Sequence, residues 1–317
     1  MSHSNLHLHL DAYLGVRQAL GFQMRAERTL LRDFVCYIET HADTGPIRAY
    51  LAVDWACASS AQRGASGAAQ RLSMARGFLT YLRAILPETE VPDSGLVRAF
   101  RRPKLYLLTA PQITALIHAA QDLGPRGSLR PSTFATFLGV LASTGLRVGE
   151  AIRLTAQDVH LDATPPVLHI RETKFHKSRL VPLHPTTVVP LRHYTALRTT
   201  LHYAALSDVF FVSEQGHALT HDALGRWFAQ LCRQLGLEPT AGGRRPSLHA
   251  LRHAFAIERL RRWHQDGADV QTLLPHLSVY LGHVRPQESY WYLTATPELL
   301  RAAALRFQQY ASKGDAS

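Results

Sequence analysis

Apolar residues recur at helical spacing through most of this chain. Over Arg25–Thr40, Leu30, Leu31, Phe34, Val35 and Ile38 fall on one side of a 3.6-residue helix. Ala68–Leu86 repeats the pattern with Leu72, Ala75, Phe78, Leu79 and Leu82, so the first 97 residues are expected to be helical. The small-residue run Ala61–Ala69 between them is a place where backbones can approach closely. A Pro, Gly and acid-rich break (LPETEVPDSG) follows, and from Leu105 the pattern restarts. Helices fit Ala110–Ala120, Phe134–Ser143 behind the start signal Pro131-Ser132, and Arg147 to Leu154 after the turn Thr144-Gly145. In Val167–Glu172 and Arg179–Leu183 the period drops to two with β-branched residues, which predicts a hairpin with a polar tip. Thr220 is placed to cap a helix striped by Leu224, Trp227, Phe228, Leu231 and Leu235. Ser247 is placed to cap another, and Pro297 opens a last one with Leu299, Leu300, Ala303, Ala304 and Phe307 on one side. The expected fold class is mainly α with a small β-hairpin or sheet, an α+β protein.

At 317 residues the chain is too long for one ordinary core. The break gives a helical domain over 1–97, a linker over 98–104 and a second domain over 105–317. Charge then narrows the partners. The net charge is +11, and residues 1–104 carry 13 Lys/Arg against 9 Asp/Glu while the rest carry 22 against 15. Both halves are basic, which suits a polyanion held between them better than one local patch. Val97–Lys104 alone holds four cations in eight residues, as a linker running beside phosphates would.

The three cysteines, Cys36, Cys57 and Cys232, lack paired metal spacing and read as buried thiols in a reducing compartment. No apolar run is long enough to span a membrane, and the start MSHSNLHLHLD lacks signal-peptide order. It reads as an exposed polar start, although His3, His7 and His9 are able to bind stray metal. These features point to a soluble, cytoplasmic protein.

Four short segments carry candidate chemistry. In Leu248–Phe255, His249, Arg252, His253 and Ala256 share one helical face while Leu248, Leu251 and Phe255 anchor the other. One cation and two imidazoles thus project together from a rigidly held helix, as a site or as a polar surface face. A zinc site is disfavoured, because the Glu of H-E-x-x-H is missing and Arg252 would repel a metal ion. In Ser143–Glu150 a Gly turn presents Arg147 at a helix start, where backbone N–H groups also favour an anion. The hairpin tip carries Lys174, and Leu281-Gly282-His283 precedes Tyr290-Trp291-Tyr292.

Taken together, the order and spacing of these segments resemble the tyrosine recombinase (phage integrase) family, which includes the Xer recombinases. The resemblance covers most of Leu105–Tyr292. It runs through T-G-L-R ending at Arg147, Lys174 before Lys177-Ser-Arg-Leu-Val-Pro-Leu183, and H-x-x-R-H at His249, Arg252 and His253. It ends with L-G-H at His283 and Tyr292 nine residues later. The first domain is similar, more loosely, to the family's core-binding domain. The Tyr-Leu-Gly-His and Tyr-Trp-Tyr-Leu ending resembles a transposon-borne subgroup.

The resemblance implies a site-specific recombinase that cuts and rejoins double-stranded DNA through a 3′-phosphotyrosine, without metal or other cofactor. It would act as a homo- or hetero-oligomer, a tetramer on DNA. Tyr292 would be the nucleophile, Arg147 and Arg252 the phosphate ligands, Lys174 the general acid, His249 the proton handler near Tyr292 and His283 a further phosphate donor. Glu150 is expected to orient the arginine helix, and His253 to support rather than to react. Tyr290 is the rival nucleophile. The 31 residues from Arg252 to His283 exceed the common family connector, and Trp263–Ser278 reads as an insertion or extended loop. A type IB topoisomerase or an inactive DNA-binding relative are the alternatives. The C-terminal helix Pro297–Tyr310 would dock on a neighbouring protomer or on its own domain.

Overall fold

The computed structural model describes residues 5–42, 45–58, 60–96, 106–125, 127–171, 178–201, 207–239, 245–283, 285, 287–293, 301 and 304, with 25 and 60–66 described by backbone alone. The linker 98–104, the hairpin tip with Lys174, and the helix expected over Pro297–Tyr310 apart from Arg301 and Ala304 lie outside these residues. The chain divides into two compact units, Met1–Arg102 and Pro103–Ser317.

Among the described residues the first unit is four helices, α1 (Leu6–Ala19), α2 (Arg25–His41), α3 (Ala49–Ala58) and α4 (Ser60–Arg83). The α2 stripe packs with Trp55 of α3 and Phe78 of α4 into one core, as its spacing predicts. The polar start is not loose: α1 buries Leu6, Leu10 and Leu14, whose i, i+4, i+8 spacing is interleaved with histidines. Trp55 donates its indole N–H to Asp33 at 2.9 Å, which satisfies the one polar atom of a buried ring. Arg71 of α4 stacks on the same ring at 3.7 Å and donates to Asp33 and to the Trp55 carbonyl. The cysteine expectation holds only for Cys232; Cys36 and Cys57 are exposed, on the outer sides of α2 and α3. Burial pushes the Cys232 thiol up to about 11.

The second unit is built around α6 (Arg130–Thr144), whose residues 133–138 are all buried. A helix apolar on every side becomes the centre of its domain. Against it lie α5 (Ala110–Ala120), α8 (Pro185–Thr200) and α10 (His249–Gln265). Thr109 and Gln112 form a reciprocal capping box at the start of α5. The short α7 (Val148–Ile152) follows the α6 turn, and α9 (His221–Gln234) begins at Thr220, whose hydroxyl accepts from Ala223 N–H as expected. Ser247 does not cap α10. Leu248 is the first flanking residue, and the Ser247 carbonyl, not its hydroxyl, accepts from Ala250 N–H.

The hairpin forms with β2 (Val167–Ile170) and β3 (Arg179–Pro182) antiparallel, Ile170 opposite Arg179 and Leu168 opposite Val181. A two-residue strand β1 (Val159–His160) completes the sheet in the order β1-β2-β3.

The connector Trp263–Ser278 is no extended loop. Helix α10 continues to Gln265, a turn passes through Gly267 at φ 72°, and α11 (Val270–Leu281) follows. Asp269 caps α11 by accepting from the N–H groups of Gln271 and Thr272, and Val270, Leu274, Leu277 and Leu281 face inward. Pro275 within the helix is the residue that masks it in the sequence. The short helix α12 (Gln287–Leu293) follows the turn after α11. Among the described residues no helix is long and apolar enough to cross a membrane.

Candidate active site

Two helix ends and one helix face meet in the second unit. Helices α6 and α11 both terminate in a left-handed glycine, Gly145 at φ 63° and Gly282 at φ 68°. Such a turn frees carbonyl oxygens at the negative end of each helix. Arg252 of α10, 2% exposed, donates to the Gly145 carbonyl at 2.6 Å and to the Leu281 carbonyl at 2.8 Å. Arg147, just before α7, donates to the Gly282 carbonyl at 2.9 Å. Both guanidiniums are therefore aimed by backbone carbonyls of the two glycine turns. A side chain at Gly145 would put its Cβ 2.6 Å from Phe255, so only glycine fits both the backbone and the space.

Glu150, 4% exposed, sits beneath this pair. It accepts from Arg147 twice, from the backbone N–H at 3.0 Å and from Nη1 at 2.9 Å. Arg179 of β3 donates to the same carboxylate at 2.8 and 3.2 Å. Burial raises the Glu150 pKa, but the hydrogen bonds and charges of Arg179 and Arg147 together outweigh it and hold the group below the usual carboxylate range. The Arg147 N–H thus belongs to Glu150, and the anion-binding capacity expected at this helix start resides in the side chains. Burial, reinforced by the neighbouring Arg147, lowers the Arg252 pKa to about 10, so it stays a cation at neutral pH.

Tyr292 of α12 is 3% exposed, packed among Ala256, Leu260, Val270, Leu274, Leu277 and Leu281. Its hydroxyl lies 3.2 Å from His253 Nδ1, so it donates whenever that nitrogen is unprotonated. Burial raises the Tyr292 pKa, while the charges of Arg252 and Arg147 pull it back. Tyr290, the rival, is 51% exposed. His249 is exposed and meets His253 edge to face, ring centroids 4.5 Å apart, which puts His253 and not His249 in direct contact with the tyrosine. The physical reason is height along α10: the two histidines share a face, and His253 stands one turn further from the helix start, level with Tyr292.

His283 follows the Gly282 turn. Its Nδ1 lies 2.7 Å from the hydroxyl of fully buried Ser289, and its ring is near parallel to Tyr292 at 6.2 Å between centroids. Burial, then Arg252, Arg147 and Arg179, push its pKa down to about 3, so it is a neutral donor or acceptor.

Five of the six residues singled out in the sequence, Arg147, His249, Arg252, His283 and Tyr292, are thus brought together; Lys174 lies outside the described residues. His253, expected to support rather than to react, contacts the tyrosine hydroxyl, and Arg179, which had no expected role, contacts Glu150. The available signal for Arg179 was strand phase, because it shares the face of buried Val181. Among the described residues one group has the spacing to hold a metal, exposed His7, Cys36 and Glu39 of the first unit. His7 there already pairs with Glu39 at 3.3 Å.

The model of the phage integrase family matches residues 107–297. The chain belongs to that family. A putative integrase/recombinase, y4rB, of Sinorhizobium fredii (strain NBRC 101917 / NGR234) is 40% identical over 307 residues, 95% of this chain and 96% of that one. The tyrosine recombinase XerD of Pseudomonas putida is 34% identical over 219 residues, 66% of each chain. Among solved structures, the XerH site-specific recombinase bound to palindromic difH substrate, in a post-cleavage complex, superposes with a TM-score of 0.68 at 18% identity. That superposition covers 97% of this chain and 85% of XerH. The chain is accordingly a tyrosine site-specific recombinase, and its helical architecture with one small sheet is that of the family.

Proposed function

We propose that this recombinase cleaves DNA by attack of the Tyr292 hydroxyl on the scissile phosphorus. The new bond is Tyr Oη–P and the broken bond is P–O5′, which leaves a 3′-phosphotyrosine and a free 5′ hydroxyl. Attack by a 5′ hydroxyl from a second duplex reverses the step and rejoins the strands, so the bond energy is conserved without a nucleotide cofactor. The observation that carries this reading is the buried Tyr292 hydroxyl, held 3.2 Å from an imidazole and beside two guanidiniums.

Each residue has a task in that step. His253, backed by His249, takes the tyrosine proton as the hydroxyl attacks. Arg147 and Arg252 stabilise the negative charge gathered on the non-bridging oxygens; losing one such donor typically costs ~10²–10³ in rate. His283, neutral, donates a further hydrogen bond to the phosphate. Lys174, by the family's motif, protonates the leaving 5′ oxygen.

The first unit would act as the core-binding domain and 98–104 as the linker along the phosphates, so that two basic domains clamp duplex DNA through salt-sensitive contacts. Reciprocal exchange requires four cuts and hence four protomers, acting on DNA in the cytoplasm. The C-terminal segment Pro297–Tyr310 would join neighbours.

The test is to trap the intermediate. The protein is incubated with sheared genomic DNA and denatured, and the covalently linked fragments are sequenced while the linked peptide is mapped. A 3′-phosphotyrosine at Tyr292, with cuts converging on one sequence, is the expected result, and Tyr292→Phe should abolish it. An adduct on Tyr290 would overturn the nucleophile assignment, and cuts scattered over unrelated sequences would favour a topoisomerase.

A further inference from the structure

Arg179 belongs to the strand leading out of the hairpin, yet every nitrogen of its guanidinium is engaged elsewhere. Nε donates to the Tyr280 carbonyl at 2.8 Å, and Nη1 and Nη2 donate to the two oxygens of Glu150 at 3.2 and 2.8 Å. Glu150 holds Arg147, and Arg147 reaches the Gly282 carbonyl, two residues beyond Tyr280. The bonds close a loop through three segments: the Arg147 turn, strand β3 and the turn that carries His283. Gly282 is part of the fit, since a Cβ there would stand 2.5 Å from Arg179 Nη1. The Arg179 side chain is 10% exposed and its partner Glu150 side chain 2%.

Charge explains why a second arginine is needed. A carboxylate buried beside Arg147 alone would neutralise it and draw its guanidinium inward. Shared between two guanidiniums, Glu150 fixes the direction of Arg147 while leaving the pair with net positive charge for a phosphate. We propose that Arg179 is a positioning residue for strand cleavage, which sets where Arg147 and His283 meet the scissile phosphate and does not itself touch DNA. This rests on the recombinase reading of the site.

The test uses the full chain with Arg179→Met and Arg179→Lys, and Arg192→Met as a control in the exposed pair with Asp162. Three quantities are read: the single-turnover rate of adduct formation on sheared genomic DNA, the affinity for the same fragments, and the His283 ring resonance in histidine-labelled protein, identified by its loss in His283→Gln. Both Arg179 variants should form adduct about 10²-fold more slowly, the scale expected when a reacting geometry slips by about 1 Å. Their DNA affinity should be unchanged and the His283 resonance shifted, while Arg192→Met alters none of the three. Arg179→Lys keeps a counter-charge for Glu150 and should melt close to the wild-type protein, so its slow chemistry is not misfolding. Wild-type speed in Arg179→Lys would reduce Arg179 to a simple counter-ion and overturn the proposal. So would a fall in affinity that matches the fall in rate, or an unmoved His283 resonance. If the wild-type protein itself forms no adduct, the recombinase reading fails, and the His283 resonance still decides whether Arg179 holds that turn.

Discussion

Arg71 in the first unit and Arg252 in the second are both buried, 8% and 2% exposed, but their surroundings differ in kind. Arg71 lies flat on Trp55 and shares Asp33 with the indole N–H, so one cation meets one carboxylate and an aromatic face. Arg252 has two carbonyls as partners, and its charged neighbours Arg147 and Arg179 repel it. Around it, among the described residues, Arg147 and Arg179 share one carboxylate, Glu150, and Arg252 hydrogen-bonds to none. The first arrangement is electrically complete. The second has surplus positive charge in a dry place, which costs stability until an anion arrives. Burial alone thus does not distinguish a structural arginine from a working one; the count of compensating charges does.

The strongest way to break that contrast is to remove each charge. Arg252→Gln should slow adduct formation by ~10²–10³, whereas Arg71→Gln should leave the rate per folded molecule within about threefold. Stability should respond in the opposite order. Arg71→Gln loses a charged hydrogen bond and a cation–π contact, about 1–3 kcal/mol, read as a lower melting temperature. Equal rate losses in the two variants would mean that Arg252 serves the fold only.

Next in size is the proton acceptor. His253→Asn should reduce adduct formation by about 10²-fold or more. His249→Asn, one turn further from the tyrosine, should cost less. The reverse ranking would return the proton to His249 and make the 3.2 Å contact a resting-state feature.

Gly145→Ala sharpens the comparison from the backbone side. Its carbonyl aims Arg252, its φ is 63°, and the added methyl would meet Phe255 and Leu281 at 2.6 and 2.9 Å. A left-handed alanine costs roughly 1–2 kcal/mol before any clash, so the variant should melt several degrees lower. Gly139→Ala, in the middle of α6 with nothing within 4 Å, should melt at or above the wild-type temperature. Similar losses in both would show that the Gly145 turn is not constrained as drawn.

How much of this was legible in advance follows from what each signal depends on. Helices with a clean stripe, such as α2, α5 and α9, and the β2–β3 hairpin lie where the spacing predicts, because a local period determines which face is buried. Helix α11 was hidden by Pro275, although Asp269 and Val270–Leu281 carried both the cap and the stripe. Arg147, Arg252, His283 and Tyr292 were legible because their motifs keep fixed local spacings around two glycine turns. Their partners were not. That Glu150 bridges to Arg179, or that His253 and not His249 meets Tyr292, depends on how α6, α10, α12 and β3 pack, and no local spacing encodes it. The exposed thiols of Cys36 and Cys57 were misread for the same reason, since a cysteine's average preference for burial says nothing about the side of a helix on which it sits.

The smallest expected effect is on pH dependence. An unfolded histidine takes its proton near 6.5, whereas burial and the three arginines hold His283 down to about 3. Between those values the unfolded chain binds a proton that the folded chain refuses, so stability falls as pH drops from about 6.5 and the loss grows until about pH 3. The ring is partly exposed, which weakens the effect to about 1 kcal/mol by pH 5, or roughly 2–4 °C in melting temperature. His283→Gln keeps a polar partner for Ser289 but no longer titrates, so its melting curve should fall less steeply than the wild-type curve between pH 7 and 5. Bound inorganic phosphate should narrow the gap in the wild-type protein, because an anion between Arg147 and Arg252 supplies the compensation that Asp33 gives Arg71. Parallel curves for the two proteins, with and without phosphate, would mean that His283 does not feel the surplus charge, and the contrast between the two arginine clusters would lose its electrostatic basis.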